Sequence, residues 1–250
     1  MHRLLVGTGL LEEESPVLPA DAARHLKVLR PKDGEEIELF DGKGRWRVYK
    51  FCASLKSGQE TASPFCATSQ TFQTSRASRF LTLFACVTKG SRWDWTVEKA
   101  TELGVTRIVP VISERTIVRI AKPERAAKRE RWMRIAEDAA RQSDAKWLPE
   151  ICEAVDFKDA LPLVRETACF IGALTNPPSP ALVKAISSIT ALSTRHQALS
   201  TFIGPEGDFT PEELKALMEI ATPTSFGPTI LRAETAAIYA VSVLAAALSR

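Results

Sequence analysis

The sequence predicts an α/β protein in which a mostly parallel sheet, flanked by helices, follows a small β-barrel domain. Three observations lead to this. From about residue 80 onward, short apolar runs of strand length alternate with longer amphipathic segments, the pattern of strand–helix–strand units. The first third instead has short stretches in which polar and apolar residues alternate between turn residues, and a small barrel is the natural way to close such strands. Between them, Gln59 to Ser78 is rich in Ser, Thr and Gln. The boundary is placed near residue 76, giving domains 1–76 and 77–250.

In the first domain, Arg3 to Val6 reads as a strand. Asp21 to Leu29 reads as a short helix with Asp21 as N-cap and Pro31 just beyond its end. Glu36–Phe40 and Arg45–Tyr49 alternate around Asp41-Gly42-Lys43-Gly44, which is a hairpin signature. Phe65, Cys66 and Phe72 fit either a linker or a last barrel strand. In the second domain, strands are expected at Phe80–Val87, Arg107–Ile112, Cys169–Leu174 and Ala198–Ile203, with a short one near Ser225–Phe226. Helices are expected at Trp93–Leu103, closed by Gly104, and at Glu124–Gln142, Asp156–Val164, Pro180–Ile189, Thr210–Ile220 and Arg232–Leu248. Thr210, Pro211 and Glu213 supply an N-cap, a first-turn proline and a capping box.

The 250 residues are 45% hydrophobic and 25% charged, with a net charge of +3. That balance suits a globular protein and permits nucleic-acid binding without requiring it. The five cysteines form no C-x-x-C pair and read as reduced core residues of a cytoplasmic protein. The N-terminal apolar run is too short for a signal peptide, and no run approaches the length of a membrane helix. His2, His25 and His196 are scattered, no zinc spacing occurs, and no metal is expected. Phosphate-loop and dinucleotide fingerprints are absent.

Three segments follow predicted strands at the sheet edge where α/β proteins bind ligands: Ile171–Pro177, Phe202–Phe209 and Phe226–Ala236. In the second, Gly204 and Gly207 bracket Pro205 and Glu206, so backbone can approach a ligand while a carboxylate is held on a stiff turn. In the third, Gly227-Pro228 precedes a helix whose first turn holds Arg232, Glu234 and Thr235. Taken singly, each is equally well an ordinary turn or a solvated ion pair.

Taken together they resemble a known family. The pair Gly204-Pro205-Glu206-Gly207 and Leu231-Arg232-Ala233-Glu234-Thr235-Ala236 is similar to the cofactor-binding end of the RsmE-type 16S ribosomal RNA uridine-N3 methyltransferases of the SPOUT superfamily. Lys89-Gly90, Glu98–Val105, Pro110–Arg115, Arg131-Trp132, Glu137–Ser143, His25–Arg30 and Gly34–Gly42 resemble further stretches of the same family, so the likeness covers nearly the whole chain. Three positions depart from it. Asp208 stands where a second glycine is usual, Ser143-Asp144-Ala145-Lys146 replaces Ser-Gly-Arg, and Glu98 replaces a common glutamine.

The resemblance implies a PUA-like barrel followed by a SPOUT domain with a deep trefoil knot. It implies S-adenosylmethionine as cofactor and methylation of N3 of a uridine in 16S rRNA, as free RNA or in the small ribosomal subunit. Cofactor contacts would come from Leu174, Thr175, Ile203, Gly204, Pro205, Glu206, Gly207, Phe226, Gly227, Ile230, Leu231, Arg232, Thr235 and Ala236. Glu206 and Glu234 are candidate bases for the N3 proton, and Arg232 is the candidate for stabilising charge on the uracil. Arg115, Arg119, Lys122, Arg125, Lys128, Arg129, Arg131 and Arg134 crowd into one stretch. Of these, Arg115, Arg119, Arg125, Lys128 and Arg129, with Lys89 and with Arg24, Lys27 and Arg30 of the barrel, are the expected RNA contacts. The tryptophans Trp93, Trp95, Trp132 and Trp147 read as packing residues. The last helix is apolar almost all round, which fits the homodimer typical of such enzymes. Two competing readings are a tRNA ribose 2′-O-methyltransferase of the same superfamily, whose motifs are absent, and a non-catalytic ribosome-assembly factor, which would have no affinity for S-adenosylmethionine.

Overall fold

The computed structural model describes residues 1–52, 64–68, 72–73, 80–164, 167–173, 178–192 and 198–248. It divides into two compact units, Met1–Ala77 with Ala140–Leu148, and Ser78–Ala139 with Pro149–Arg250.

The first unit is a β domain. Strand β1 (His2–Leu5) runs parallel to β2 (Glu36–Phe40), which pairs antiparallel with β3 (Arg45–Phe51). Asp41 Oδ1 closes the hairpin turn by accepting from Lys43 N and Arg45 N at 2.7 and 3.1 Å. Phe65–Ala67 (β4) and Phe72–Gln73 (β5) both pair with β3, so these residues are strand rather than linker. Helix α1 (Ala20–Leu29) begins one residue before Asp21, with Pro19 at the N-cap and no side-chain cap. Asp21 therefore acts in the first turn, where a carboxylate suits the positive end of the helix dipole. Leu4, Leu26, Leu39, Tyr49 and Phe65 form this unit's core.

Residues 140–148, expected within the second domain, belong with this unit because polar groups tie them there. Arg3, nearly buried, donates to the carbonyls of Ala140 and Ala145 at 2.7 and 3.1 Å and pairs with Glu38 at 2.8 Å. Lys146 pairs with the same buried carboxylate at 2.6 Å. Arg3 thus satisfies carbonyls that a helix end leaves without partners, and two cations are shared between buried Glu38 and exposed Asp144.

The second unit is a parallel sheet in the order β12–β10–β11–β6–β7–β8, with β9 also pairing with β7. Its strands are β6 (Phe80–Cys86), β7 (Arg107–Ile112), β8 (Glu150–Ile151), β9 (Val155–Asp156), β10 (Ala168–Gly172), β11 (Ala198–Ile203) and β12 (Thr222–Thr224). The short edge strands β8 and β9 were not expected from sequence. Its helices are α2 (Ser91–Glu102), α3 (Arg125–Gln142), α4 (Phe157–Ala160), α5 (Leu182–Leu192), α6 (Pro211–Met218) and α7 (Ala233–Leu248).

Both faces of the sheet are covered, as a parallel sheet requires. Successive side chains of β6 alternate between two cores: Leu81, Leu83 and Ala85 pack with Trp93, Val97, Trp132, Ala237 and Val241. Phe84 and Cys86 face Phe157, Phe202, Phe209 and Leu217. Phe84 stacks on Phe202 across the neighbouring strand, with centroids 4.5 Å apart. Trp93 meets Trp132 edge to face at 5.5 Å, whereas Trp95 is 41% exposed and does not pack fully. Among the cysteines, Cys86 and Cys169 are core residues, but Cys66 is exposed. In α7, Ala233, Ala237, Ala240, Val241 and Leu244 are buried, while Ile238 and Val243 on other faces are half-buried.

Candidate active site

The segments that follow β10, β11 and β12 meet at one edge of the sheet around a cleft of about 550 Å3. Its walls come from Gly172 and Ala173, from Phe202–Asp208, and from Thr224–Gly227 with Thr229–Ala233 and Ala236. That volume suits a nucleoside-sized ligand.

Glycine is required at two of these places for different reasons. A Cβ at Gly172 would stand 2.5 Å from the ring of Phe226, so the first and third segments close-pack only because no side chain is there. Gly227 has a φ of +134°, which side-chain-bearing residues rarely adopt. Gly204 is less constrained: its Cβ would meet Phe209 at 3.2 Å. Gly207 has neither constraint, since its nearest neighbour would be Arg115 at an ordinary 3.6 Å.

The second segment is a tight turn, closed by Asp208 N donating to Pro205 O at 2.9 Å. Asp208 is left-handed, with a φ of +59°, and its Oδ1 accepts from Phe209 N at 2.8 Å. Asp is one of the few side chains that tolerates this region, because its carboxylate bonds locally. Asp144, at the other glycine-like departure, is also left-handed at +60°. Both aspartates therefore fill backbone positions suited to glycine.

A clamp from the β7 loop holds this turn from outside. Arg115 donates to Gly207 O at 3.0 Å and to Phe209 O at 3.4 Å. Glu213, which closes the α6 capping box with Thr210, also accepts from Glu114 N at 2.9 Å. Arg119 in turn holds the carbonyls of Ser113 and Glu114 at 3.0 and 2.6 Å.

Charged groups in the cleft are few. Glu206 forms an ion pair with Arg92, in the first turn of α2, at 3.4 Å. Arg232 lines the cleft, and its guanidinium has no ion pair or hydrogen bond among the described residues. Glu234 is not among the lining residues, and its Oε2 is buried without a hydrogen-bond partner among the described residues. Thr235 is exposed and likewise outside the lining. Ile203, Gly204, Pro205, Glu206, Gly207, Phe226, Gly227, Ile230, Leu231, Arg232 and Ala236 are brought together here. Leu174 and Thr175 lie outside the described residues.

A family model for an RNA methyltransferase domain matches residues 75–245. The chain belongs to this RNA methyltransferase family. A second model, for the PUA domain of RNA methyltransferases, matches residues 18–51 in the β unit. The ribosomal RNA small subunit methyltransferase E of Synechocystis is 32% identical over 99% of this chain and 78% of its own length. That of Bacillus subtilis is also 32% identical, over 62% of this chain and 61% of its own. The crystal structure of a Neisseria gonorrhoeae ribosomal RNA small subunit methyltransferase E bound to S-adenosyl methionine superposes with a TM-score of 0.79. It is 29% identical and covers 97% of this chain and 95% of that one.

In this RNA methyltransferase the expected RNA-contacting residues separate into two groups. Arg115 and Arg119 serve the clamp. Arg125 pairs with Asp156 at 2.6 Å, and Arg129 donates to Ile151 O at 2.7 Å. Arg131, in the same basic run, pairs with Asp94. These guanidiniums fasten α3 and the β7 loop to their own unit, a role that spacing along a helix cannot distinguish from a solvated basic face. Lys89, Lys128 and Arg134 are exposed, as are Arg24, Lys27 and Arg30 in the β unit. Arg92 was not anticipated: nothing in local spacing links it to a carboxylate more than a hundred residues later.

Burial pushes the thiols of Cys86 and Cys169 up to about 11, so both are protonated and poor nucleophiles at neutral pH. Among the described residues no group of His, Cys, Asp and Glu could hold a metal ion, and no helix is long and apolar enough to cross a membrane.

Proposed function

We propose that this chain methylates N3 of a uridine in 16S rRNA, using S-adenosylmethionine. The observation that carries the reading is the guanidinium of Arg232, without an ion pair or hydrogen bond among the described residues, in a glycine-lined cleft at the C-terminal edge of a parallel sheet. The relatives named small subunit methyltransferase E and the S-adenosyl methionine in the Neisseria structure support the substrate and the cofactor.

The residues present fit an adenosyl cofactor. Gly204 keeps backbone open where a larger side chain would intrude, and Phe226, Ile230 and Leu231 give an apolar wall. Gly204, Gly207 and Gly227, with neighbouring backbone amides and carbonyls, would hold it. When bound, it supplies a methyl group on a sulfonium, whose charge is lost on transfer.

The protein's own task is then to place uracil N3 in line and manage its proton. N3 carries a proton at neutral pH and must lose it to become nucleophilic. Glu206 is proposed as the acceptor, because it lines the cleft and Glu234 does not. Arg92 would orient its carboxylate. Arg232 would stabilise negative charge developing on a uracil carbonyl, an interaction stronger in the transition state than in the ground state. Exposed Lys89, Lys128 and Arg134, with Arg24, Lys27 and Arg30 of the PUA-like unit, would contact phosphates. The proposed setting is the cytoplasm. A homodimer through α7 and a knotted threading of the second unit complete the proposal; sedimentation at micromolar protein tests the dimer.

The test is incubation of purified protein with small ribosomal subunits and tritium-labelled cofactor, followed by mapping of the label. Label on N3 of one uridine in 16S rRNA is expected. Label on a ribose 2′-oxygen, or none, overturns the proposal.

A further inference from the structure

We infer that Asp208 selects ligands in the cleft by charge, favouring the cationic methyl donor over its neutral demethylated product. The inference rests on the cofactor reading above and adds a role for a residue that the reaction does not require.

Four observations place a fixed carboxylate without an ion pair on this wall of the cleft. Asp208 lines the cleft. Its Oδ1 lies 3.4 Å from where a Cβ on Gly204 would stand, so the carboxylate borders the space that Gly204 keeps clear. Oδ1 is oriented by Phe209 N at 2.8 Å, which fixes the side chain and leaves Oδ2 without a bond among the described residues. The cleft's other carboxylate, Glu206, is balanced by Arg92, whereas Asp208 has no ion pair among the described residues.

A left-handed position accounts for a small residue here, but not for a charged one. At a φ of +59° glycine or asparagine would serve as well, and asparagine would keep the bond to Phe209 N. Aspartate adds only charge. Donor and product differ by one unit of positive charge at sulfur, so a fixed carboxylate on the wall acts on that difference and on little else. At a separation of several ångströms in a partly solvated cleft, one such charge changes relative affinity about three- to tenfold. Because Asp208 is exposed, the effect shrinks as salt rises. Its consequence would be easier release of the product, whose accumulation otherwise slows turnover.

The experiment is calorimetric titration of the full-length protein with S-adenosylmethionine and with S-adenosylhomocysteine, at low salt and at about 1 M salt. Wild type is compared with Asp208→Asn, which keeps the turn, and with Asp208→Gly as a second neutral variant. The inference expects the donor-to-product affinity ratio to fall about three- to tenfold at low salt in both variants, with product affinity little changed, and to converge with wild type at high salt. An unchanged ratio in Asp208→Asn overturns the inference and leaves the cofactor reading standing. Failure of the wild type to bind either nucleoside overturns both.

Discussion

Replacing Arg115 with alanine separates two roles, a clamp on the turn that carries Glu206 and the phosphate contact expected from sequence. In the structure this side chain bonds Gly207 O at 3.0 Å and Phe209 O at 3.4 Å, and its methylenes lie against Gly207. The substitution frees two carbonyls of the turn that carries Glu206. A hydrogen bond from a charged donor is worth roughly 1.5–3 kcal/mol, and exposure of this one puts it at or below the lower end, about 1 kcal/mol. That energy orders a loop whose geometry matters in the bound state, so cofactor affinity should fall about fivefold. Thermal stability should change little, because the residue is on the surface. Both bonds come from one guanidinium nitrogen, Nη1, so lysine should restore part of the effect, limited by its shorter reach. Calorimetry with S-adenosylmethionine and RNA binding across a salt series, on the same protein, decide the matter. If cofactor affinity is unchanged and the salt slope drops by about one, Arg115 is a phosphate contact and the clamp is incidental.

The other expectations concern different parts of the molecule. Reversing charge at Lys128 and Arg134 should reduce the salt slope of RNA binding by up to about two, whereas Arg125→Ala should lower the melting temperature and leave the slope alone. Equal slopes in parent and double variant would remove α3 from the RNA interface. Gly172→Ala should push Phe226 off its place, destabilise by about 1–3 kcal/mol in chemical denaturation and weaken cofactor binding. A neutral result would show that the two loops are not close-packed. Cys86 and Cys169 titrate higher folded than unfolded, from about 9 to about 11, so the stability they confer is intact below pH 9 and is lost as pH rises to 11. The double variant Cys86→Ala, Cys169→Ala should show a shallower fall in melting temperature across that window, and an identical fall would mean these thiols stay accessible to solvent.

What could be read from the sequence was what repeats locally. The apolar run at Phe80–Val87 and the Thr210-Pro211-Glu213 cap placed strand and helix close to their true limits. The three cleft segments were legible because each combines glycine and proline after an apolar run. What escaped was pairing at long range. Arg92 meets Glu206, and Lys146 meets Glu38 at a separation of 108 residues, so Ala140–Leu148 joins the first unit although it follows a helix of the second. Arginine density is ambiguous for the same reason. A guanidinium that bonds a carbonyl, as Arg129 does at Ile151, looks in sequence like one that awaits a phosphate. Glu234 showed the converse: two residues past Arg232, in the first turn of α7, a carboxylate is already out of the cleft's lining.

The cleft is proposed to methylate N3 of one uridine in 16S rRNA with help from the guanidinium of Arg232. The most direct measurement maps modified bases in 16S rRNA from cells lacking this protein, complemented with wild type or with Arg232→Ala. Loss of a single N3-methyluridine is expected, with full return in wild type and little return in the variant, whose turnover should be lower by one or more orders of magnitude. An unchanged modification profile in the deletion strain, or full restoration by Arg232→Ala, would contradict it.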